Sequence, residues 1–372
     1  MRIVHVLAGT GWGGAERLGA ALARDGLARG DDVKIVATPY GAEQLEGERL
    51  PLLGVQLEAM APDGRVPARA LFGWASRVRE ALASFAPDVV HLHLSTPAFA
   101  AAAHRAGGGA PSVWTFHLLP EANWPLDFMA RVPSAWCTRA AGFFSNRRFV
   151  AVSRTDADAL GRLLPRHRVE CLRNSPPPLT GTPREVTRSD WGNAEVALLF
   201  VGRLDPQKGL DRLLRALAAP ELRAESFHLL VIGDGPQRAE LEALVRDSNL
   251  ASRVSFLGAC GPRRAFEVAD LVLCPSRFEG TPLVPMEAVL AGAPVLVSRI
   301  SPNEDLFGSV PASFLPDDDR LWDAPLRAWL TAPEKRTELR AAQAPLAAGF
   351  QFGRLAEDYR RVHEAVRARQ GR

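Results

Sequence analysis

The sequence lacks any long apolar run. No stretch of about 18 consecutive apolar residues occurs in its 372 residues, so a membrane-spanning helix is not expected. The first nine residues form a short apolar run that ends in glycine, without the longer apolar core and the cleavage site of an export signal. These absences lead us to expect a cytoplasmic protein.

Cysteine and net charge are also scarce. The chain has four cysteines without a paired spacing, which predicts neither a disulfide framework nor a zinc site; we expect buried thiols. The formal net charge is only +3, and neither a clustered basic helix nor an aromatic RNA-binding motif is present. A nucleic acid partner is therefore not expected. The cysteines are Cys137, Cys171, Cys260 and Cys274.

The chain is long for one hydrophobic core and suits two domains of ordinary size. Strand-like and helix-like runs alternate through both halves, which predicts two doubly wound α/β domains with parallel sheets. The runs in the first half are 3–7, 15–29, 33–38, 74–85, 89–93, 113–117 and 150–153. Those in the second are 197–201, 210–218, 228–232, 237–249, 254–257, 271–274, 284–291 and 295–298.

Composition predicts where the domains meet. Residues 176–190 are rich in proline and polar side chains, which is typical of a linker. The first domain is therefore predicted at 1–175 and the second at 191–350. Residues 352–369 are periodic and charged like a long amphipathic helix within a separate tail, 351–372.

The segment from residue 271 to 304 carries the most chemical information. A buried strand is followed by turn residues and a helix, with Glu279 just before the helix and Glu287 inside it. The helix N-terminus offers amide N–H groups and partial positive charge, which suit a diphosphate. The two carboxylates would then hold hydroxyl groups on either side, as a nucleotide-sugar donor requires. Taken alone, the pair also fits two solvated surface glutamates.

Two cations follow the strand at 197–201. Arg203 and Lys208 are predicted to lie at the carboxyl edge of the second sheet, where α/β proteins bind ligands. Arginine offers a planar fork to phosphate oxygens and lysine a compact charge, so the pair can neutralise a diphosphate. By themselves they also fit surface charges beside a turn.

Glycines follow strands in both halves. Gly233 and Gly235 are placed where the backbone can approach a ligand, and Gly13 and Gly14 open a helix that can hold an anion. A nicotinamide dinucleotide enzyme is the rival hypothesis. The second strand, however, ends near Tyr40 without the acidic residue that a ribose would need.

Three histidines lie on or at the ends of predicted strands in the first half. His117 ends one strand, where a neutral imidazole can bind a hydroxyl, although a lone histidine there is more often structural. His91 and His93 alternate on another strand and share a face. We interpret those two as packing residues or contacts at the rim of a site.

Taken together, these motifs resemble glycosyltransferase family 4, the retaining enzymes of GT-B fold. One departure is Thr281-Pro282, where many members have Phe-Gly; because proline lacks an amide hydrogen, this loop offers one donor fewer. The resemblance covers most of the chain and implies two Rossmann-like domains facing across a cleft, with the C-terminal helix returning to the first domain. The residues that carry it are Gly13-Gly14-Ala15-Glu16-Arg17, Gly202-Arg203, Lys208-Gly209, Ser276, Glu279, Gly280, Glu287, Ala288, Gly292, Pro294 and Val295.

The resemblance also implies residue roles. Arg203 and Lys208 would stabilise the departing diphosphate, Glu279 would orient the donor sugar, Glu287 would hold the ribose, and His117 would contact the sugar. The donor would be UDP- or GDP-linked, no metal or other cofactor is expected, and the acceptor hydroxyl would belong to polysaccharide, lipopolysaccharide or glycolipid biosynthesis. Further donor-binding positions are expected at Gly13, Gly14, Gly202, Gly233, Gly235, Gly280, Thr281 and Leu283.

Two alternatives remain at this stage, and a third is rejected. One is a nucleotide-sugar epimerase or phosphorylase on the same fold, and another is a protein that binds a sugar nucleotide without catalysis. The third is a metal site at Asp317-Asp318-Asp319, which we reject because the triple follows Leu315-Pro316 in a predicted loop outside the nucleotide segment.

A possible membrane contact concerns residues 128–154. Arginines alternate there with aromatic residues, which suits either an interfacial surface for an anionic, lipid-linked acceptor or core aromatics with arginines at the rim. The first hypothesis would place the protein peripherally on the inner face of the cell membrane.

Overall fold

The computed structural model describes residues 1–7, 13–37, 45, 49–53, 68–94, 110–119, 147–178 and 185–368, with the backbone alone at 68–72 and 94. The chain forms two compact units. The first comprises Met1–Pro177 and Phe352–Arg372, and the second comprises Pro178–Gln351. The first unit thus ends within the predicted 176–190 linker.

The first unit is built on a parallel sheet of six strands. Their order is β2-β1-β3-β4-β5-β6, so the direction of winding changes between β1 and β3. The elements are β1 (Arg2–Leu7), α1 (Gly14–Ala28), β2 (Asp32–Ala37), α2 (Ala68–Phe85), β3 (Val89–Leu94), β4 (Ser112–Phe116), β5 (Arg147–Ala151), α3 (Arg154–Leu163) and β6 (Val169–Cys171).

The second unit has a parallel sheet of five strands in the order β11-β10-β7-β8-β9, which changes direction between β7 and β10. Its strands are β7 (Val196–Val201), β8 (Phe227–Ile232), β9 (Val254–Gly258), β10 (Leu271–Cys274) and β11 (Val295–Val297). Its helices are α4 (Leu210–Leu217), α5 (Arg238–Asp247), α6 (Arg263–Val268), α7 (Leu283–Leu290), α8 (Ser301–Phe307), α9 (Asp323–Thr331) and α10 (Pro333–Gln343). Short 3-10 helices are Arg188–Trp191, Pro206–Lys208, Pro220–Leu222, Pro311–Ser313, Asp319–Leu321 and Ala344–Gly349.

The prediction of two doubly wound α/β domains is confirmed. Every strand pairing in both sheets is parallel, as the alternation of strand-like and helix-like runs indicated. Shorter elements escaped prediction. β6 has three residues, α6 has six and α8 has seven, too few to show a clear period.

The last helix, α11 (Phe352–Arg367), belongs to the first unit. Its apolar stripe is buried in a cluster with α1 and with the middle of the first sheet. Amphipathic spacing of apolar residues explains this packing, because one face of the helix can be buried while arginines and glutamates stay outside. The buried residues of the stripe are Leu355, Ala356, Tyr359, Val362 and Val366.

The two faces of the first sheet differ in chemistry. On one face, Val6, Leu92 and Trp114 belong to a purely apolar cluster. Because successive side chains in a strand point to opposite faces, residues one position away lie under α1 and α11. There the middle of β1 and β3 carries histidines instead, and both His5 and His91 are buried.

The end of the predicted linker is packed rather than free. Val186 is 3% exposed and Trp191 is fully buried. The indole N–H of Trp191 donates a hydrogen bond of 2.7 Å to the carbonyl oxygen of Leu198. The second unit's core therefore begins before residue 191, while residues 179–184 lie outside the described ranges.

The described part of the 128–154 segment lies in the sheet. Phe149 is 1% exposed, and Arg147 is buried with its guanidinium 4.7 Å from the ring centre of Trp114. An interfacial surface is therefore wrong for these two residues, which share one face of β5 and pack against Trp114. The predicted strand at 150–153 also ends early, because the Ser153 hydroxyl caps α3 by accepting a hydrogen bond from the Asp156 amide. Residues 128–146 lie outside the described ranges.

Among the described cysteines, burial differs from the prediction. Cys274 is buried, Cys260 is half-buried and Cys171 is exposed; all three are free thiols. Cys171 ends the edge strand β6, which explains its exposure. Cys137 is not among the described residues.

Within the described ranges, no helix combines the length and apolar character needed to cross a bilayer.

Candidate active site

The candidate site lies at the carboxyl edge of the second sheet, beside the point where the winding direction changes. The loop after β7 carries Arg203 and Lys208, and the loop after the neighbouring strand β10 carries Glu279. Such a switch point leaves a crevice between two loops that run to opposite faces of the sheet. The structure therefore brings these predicted residues to one edge.

Lys208 and Glu279 form an ion pair. Lys208 Nζ lies 2.6 Å from Glu279 Oε1, and the side chains are only 24% and 8% exposed. Burial alone would lower the pKa of Lys208, but the charge and the hydrogen bond of Glu279 outweigh it and raise this pKa above its usual value. The lysine is therefore held as a cation in a largely buried position.

Neighbouring groups fix the Glu279 carboxylate. The Ser276 hydroxyl donates to Oε1 at 2.7 Å, and Gln207 Nε2 donates to Oε2 at 3.2 Å. Gln207 also donates to the Phe278 carbonyl oxygen at 3.1 Å. The carboxylate thus accepts hydrogen bonds on both oxygens, which restricts its rotation before any ligand arrives.

Arg203 is arranged differently from Lys208. Its side chain is 55% exposed, and its Nε lies 2.6 Å from Asp205 Oδ2. Asp205 also caps the 3-10 helix Pro206–Lys208 by accepting a hydrogen bond from the Lys208 amide. Arg203 therefore keeps solvent-facing donors for an anion while Asp205 fixes its direction.

A glycine brings the two loops into contact. Gly209 has φ +67, and a Cβ at that position would lie 2.2 Å from the Pro275 carbonyl oxygen. Nearby, the Arg277 amide donates to the Gln207 carbonyl oxygen at 2.8 Å. Only glycine fits both the left-handed backbone and the close approach, so it places Lys208 against the loop that carries Glu279.

Helix α7 begins beside this pair. Its N-cap is Pro282 and another proline is Pro285, so of the first residues Leu283 and Val284 carry the amide hydrogens. Glu287 lies about one turn inside the helix and is 4% exposed. Gly280 is buried and Thr281 half-buried in the loop before the helix. Lys208, Glu279 and the start of α7 line one pocket.

The glycines after β7 and β8 have a backbone role. Gly233 has φ +139, and a Cβ there would lie 1.9 Å from the Gly202 carbonyl oxygen; one on Gly235 would lie 2.4 Å from that of Leu204. The Leu204 amide donates to the Asp234 carbonyl oxygen at 2.9 Å. These glycines let the two loops contact each other, so their presence is explained without a ligand.

The remaining predicted site residues lie in the first unit. The Gly13 amide donates to Glu16 Oε2 at 2.9 Å at the start of α1, and Gly14 is exposed in its first turn. His117 comes directly after β4 and is 9% exposed. Burial lowers its pKa to about 4, so its imidazole is neutral near pH 7.

His91 and His93 do not lie at a rim. They are 0% and 2% exposed, and both contribute to the core between the sheet and the helices. The packing interpretation therefore holds for both residues, and the rim interpretation is wrong because β3 is an interior strand with this face covered.

The acidic triple pairs with arginines. Asp318 interacts with Arg320 at 2.7 Å, Asp319 with Arg212 at 2.8 Å and Asp317 with Arg299 at 3.4 Å. Each of the three carboxylates thus has a cationic partner.

Sequence reasoning missed two contributors to this site. Gln207 braces Glu279, but an isolated glutamine in a turn gives no signal of its own. Asn303 lines the same pocket, is 1% exposed, and its Oδ1 has no hydrogen-bond partner among the described residues. Its position in α8, just after β11, is the only signal that the sequence offers.

Two family models match the chain in succession. Residues 12–175 match the model for glycosyltransferase family 4, and residues 195–324 match the one for group 1 glycosyl transferases. Between them they cover most of both units. The chain belongs to glycosyltransferase family 4.

Solved structures of other proteins share the fold. Anabaena HepE in complex with UDP and glucose has a TM-score of 0.75 at 19% identity, over 98% of this chain and 100% of that one. WaaG, a glycosyltransferase involved in lipopolysaccharide biosynthesis, has a TM-score of 0.74 at 19% identity, over 96% and 98%. The fold is thus the GT-B fold that the motifs predicted.

Curated relatives match over shorter stretches. A D-inositol 3-phosphate glycosyltransferase of Rhodococcus erythropolis is 32% identical over 176 residues, 44% of this chain and 40% of its own. A 2-deoxystreptamine glucosyltransferase of Streptomyces kanamyceticus is 35% identical over 119 residues, 31% of each chain. The chain therefore spans less than half the length of these relatives.

Proposed function

We propose that the protein is a retaining glycosyltransferase that moves a sugar from a nucleoside diphosphate sugar to an acceptor hydroxyl. The observation that carries this proposal is the Lys208–Glu279 ion pair of 2.6 Å at the switch point, with Arg203 on the same loop. A cation held charged beside a braced carboxylate suits a substrate that has a diphosphate next to a sugar.

Each residue takes one part of the donor. Lys208 and Arg203 receive the charge that develops on the diphosphate as its bond to the sugar carbon breaks. Glu279, which is held by Ser276 and Gln207, accepts hydrogen bonds from sugar hydroxyls. Glu287 accepts those of the ribose, and the Leu283 and Val284 amides face the phosphates.

The reaction needs no enzyme nucleophile. The acceptor hydroxyl attacks the sugar carbon on the side from which the diphosphate leaves, so the configuration is retained. Its proton passes to the departing diphosphate. Catalysis then depends mainly on charge stabilisation by Arg203 and Lys208, a role for which a metal ion is not required.

The donor is proposed to carry UDP or GDP, and the acceptor to belong to a polysaccharide, lipopolysaccharide or glycolipid. Support for a uridine donor comes from HepE, which was solved with UDP-glucose, at 20% identity to this chain. A thermal-shift panel of UDP, GDP and their sugars identifies base and sugar together, because a ligand that binds only the folded state raises the thermal midpoint.

Variants at the two cations test the proposal. Arg203→Ala and Lys208→Ala should each lower donor turnover by about 100-fold or more, as expected for the removal of a group that stabilises transition-state charge. Arg327→Ala and Lys335→Ala are matched controls, since these residues contact Glu225 and Trp329 rather than the loops after β7 and β10. Circular dichroism checks that every variant remains folded.

The measurement is release of nucleoside diphosphate with the donor selected by the panel. Near-normal turnover in both cation variants would contradict the proposed roles of Arg203 and Lys208 and with them the proposed function. Binding without any turnover or hydrolysis by the unmodified protein would instead favour a non-catalytic sugar-nucleotide-binding protein, and interconversion of two nucleotide sugars would favour an epimerase.

Peripheral membrane contact remains a separate proposal for residues 128–146. Co-sedimentation with anionic vesicles tests it, with neutral vesicles as the control. Equal recovery with both kinds of vesicle would remove it.

A further inference from the structure

Five histidines are buried together in the first unit. His5 lies on β1, His91 and His93 on β3, His117 directly after β4, and His363 on α11. All five are at most 9% exposed. Strand register explains the convergence, because His5 is opposite His91 and both point to the face that α11 covers.

Three of these rings form a hydrogen-bonded chain. His5 Nδ1 lies 3.1 Å from His93 Nε2, and His93 Nδ1 lies 3.1 Å from His117 Nε2. Both nitrogens of His93 are therefore engaged. His91 belongs to a second branch, with its Nδ1 3.0 Å from His363 Nε2.

A neutral imidazole has one N–H donor and one acceptor nitrogen. Burial keeps the rings of the chain neutral, since it lowers the pKa of His5 to about 3 and that of His117 to about 4. If His5 donates to His93, then His93 must donate to His117, whose other nitrogen then carries the proton. If the direction reverses, that nitrogen becomes an acceptor.

The chain has a free end at His117. Its Nδ1 is buried and has no hydrogen-bond partner among the described residues. A buried polar atom left without a partner is unfavourable, and a ligand hydroxyl at this atom would satisfy it. His117 follows the carboxyl end of β4, the side on which α/β domains bind ligands.

We propose that His5 and His93 are positioning residues that set the tautomer of His117, and thereby decide whether its Nδ1 donates to or accepts from a ligand hydroxyl at the carboxyl edge of the first sheet. The identity of that ligand rests on the proposed function. The hydrogen bonds among His5, His93 and His117 are independent of that function.

Packing also restricts the hydrogen-bonded histidines. Gly19 of α1 lies so close that a Cβ there would be 2.2 Å from Leu7 Cδ2 and 3.3 Å from the ring of His93. Helix α1 thus packs directly on His93. This packing restricts rotation of the central ring, which the coupling of tautomers along the chain requires.

A metal ion is the alternative occupant. Ring nitrogens of His5, His91 and His93 all lie within 4.8 Å of one another. The hydrogen bonds favour the chain, because a metal at these nitrogens would replace the contacts of His93 with His5 and of His91 with His363 or Thr115. Hydrogen-bonded and metal-bound ring nitrogens have different nitrogen-15 chemical shifts, so the two cases can be distinguished.

The test is the tautomer of each ring, measured by two-bond hydrogen–nitrogen correlation on protein labelled with nitrogen-15 at histidine. In the unmodified protein near pH 7, His93 and His117 should be neutral and share one direction of donation. Opposite directions or a charged ring would overturn the proposal. So would the appearance of metal-bound nitrogen shifts when one equivalent of Zn²⁺ is added.

Variants test the transmission. His5→Phe should change the ring shifts of His117, although the hydrogen bond that His5 makes among the described residues is to His93. The control is His167→Phe, whose ring contacts Phe149 outside the chain. If His5→Phe does not fold, His5→Asn keeps a polar side chain at the position. Unchanged His117 shifts in a folded variant at His5 would overturn the proposal.

A kinetic measurement separates this inference from the proposed function. The variant at His5 should lower donor turnover about tenfold and leave the affinity for UDP or GDP unchanged, because these nucleotides lack the sugar that is transferred. Lys208→Ala should lower turnover but leave the ring shifts of His117 unchanged. Normal turnover in Lys208→Ala would defeat the proposed function while the tautomer result stood.

Discussion

The ion pair between Lys208 and Glu279 orients both side chains before a ligand binds. A buried ion pair is a weak source of stability, because removing both charges from water offsets much of their attraction. Its value here lies in position: the 2.6 Å contact fixes an ammonium group and a carboxylate at adjacent points of one pocket. A donor that replaces part of this contact meets side chains already oriented.

Glu279→Gln tests that preparation. Glutamine keeps the shape, and its one oxygen can still accept from Lys208 and Ser276, although the contact with Gln207 Nε2 is lost. It removes the charge that raises the pKa of Lys208, so this pKa falls. A lysine binds an anion only below its pKa. Affinity for UDP or GDP should therefore fall at a lower pH in the variant than in the unmodified protein.

Calorimetric titration between pH 7 and 10 measures this shift. Glu242→Gln is the control, since that carboxylate pairs with Arg238 away from the site. Superimposable pH profiles for Glu279→Gln and the unmodified protein would show that Glu279 does not hold the charge of Lys208.

Sequence patterns found the charged members of the site but not their contacts. Arg203, Lys208 and Glu279 could be predicted because each follows a strand or loop with recognisable turn chemistry. The Lys208–Glu279 contact joins residues 71 positions apart and depends on strand order, which spacing does not reveal. The role of Gln207 depends on the same contact and was equally hidden.

At the scale of elements, the loops after β7 and β8 behave as one layer. The Gly202 amide donates to the Ile232 carbonyl oxygen at 3.0 Å, and Gln237 donates to that of Leu204 at 3.0 Å. This layer continues the sheet beyond its last regular strand positions. Arg203 therefore stands on a supported loop rather than on a free one.

Gly233→Ala should disrupt that layer. The added Cβ would meet the Gly202 carbonyl oxygen at 1.9 Å and would have to adopt φ +139. We expect a loss of about 3 kcal/mol or more in the free energy of unfolding, from steric overlap together with backbone strain. Urea denaturation of the variant measures this loss.

Gly292→Ala is the matched control. Gly292 also has a positive φ, +77, but a Cβ there has no atom within 4 Å. It should cost only about 1 kcal/mol, the strain of the left-handed backbone. Equal losses in the two variants would show that the contact with Gly202 contributes nothing.

Element prediction succeeded where period and length agreed. The strand at 271–274 and the helix at 210–217 match the predicted bounds within one residue, because an apolar run or a helical stripe is closed by a clear turn. The strand predicted at 150–153 was displaced because Ser153 caps a helix, a role that depends on the Asp156 side chain as well, since the Ser153 hydroxyl donates to Asp156 Oδ2 at 2.8 Å.

At the scale of the whole molecule, the two units differ in their buried titratable groups. Among the described residues, the buried histidines all lie in the first unit. Burial lowers the pKa of His363 to about 4, although the carboxylate of Asp31 opposes this. In the unfolded chain these rings return to about 6.5.

The first unit should therefore lose stability in acid. Between pH 6.5 and about 4, these histidines bind protons in the unfolded state but stay neutral in the folded state. The free energy of unfolding therefore falls as the pH falls. Each ring contributes up to about 1.4 kcal/mol per pH unit in this window. The second unit should change less.

Hydrogen exchange with mass spectrometry at pH 7 and pH 5, corrected for intrinsic rates, resolves the units separately. His363→Gln should reduce the acid sensitivity of the first unit, and His167→Gln should leave it as it is. Equal acid destabilisation of both units would contradict the expected role of the buried rings.

The placement of α11 has a consequence for biosynthesis. Its residues complete the core around Leu18 and Val113, yet they leave the ribosome after the whole second unit. The first unit is thus translated early and finished late. Until α11 has been synthesised, apolar surface of the first unit stays exposed while the second unit folds. Cotranslational chaperones would therefore bind the first unit rather than the second.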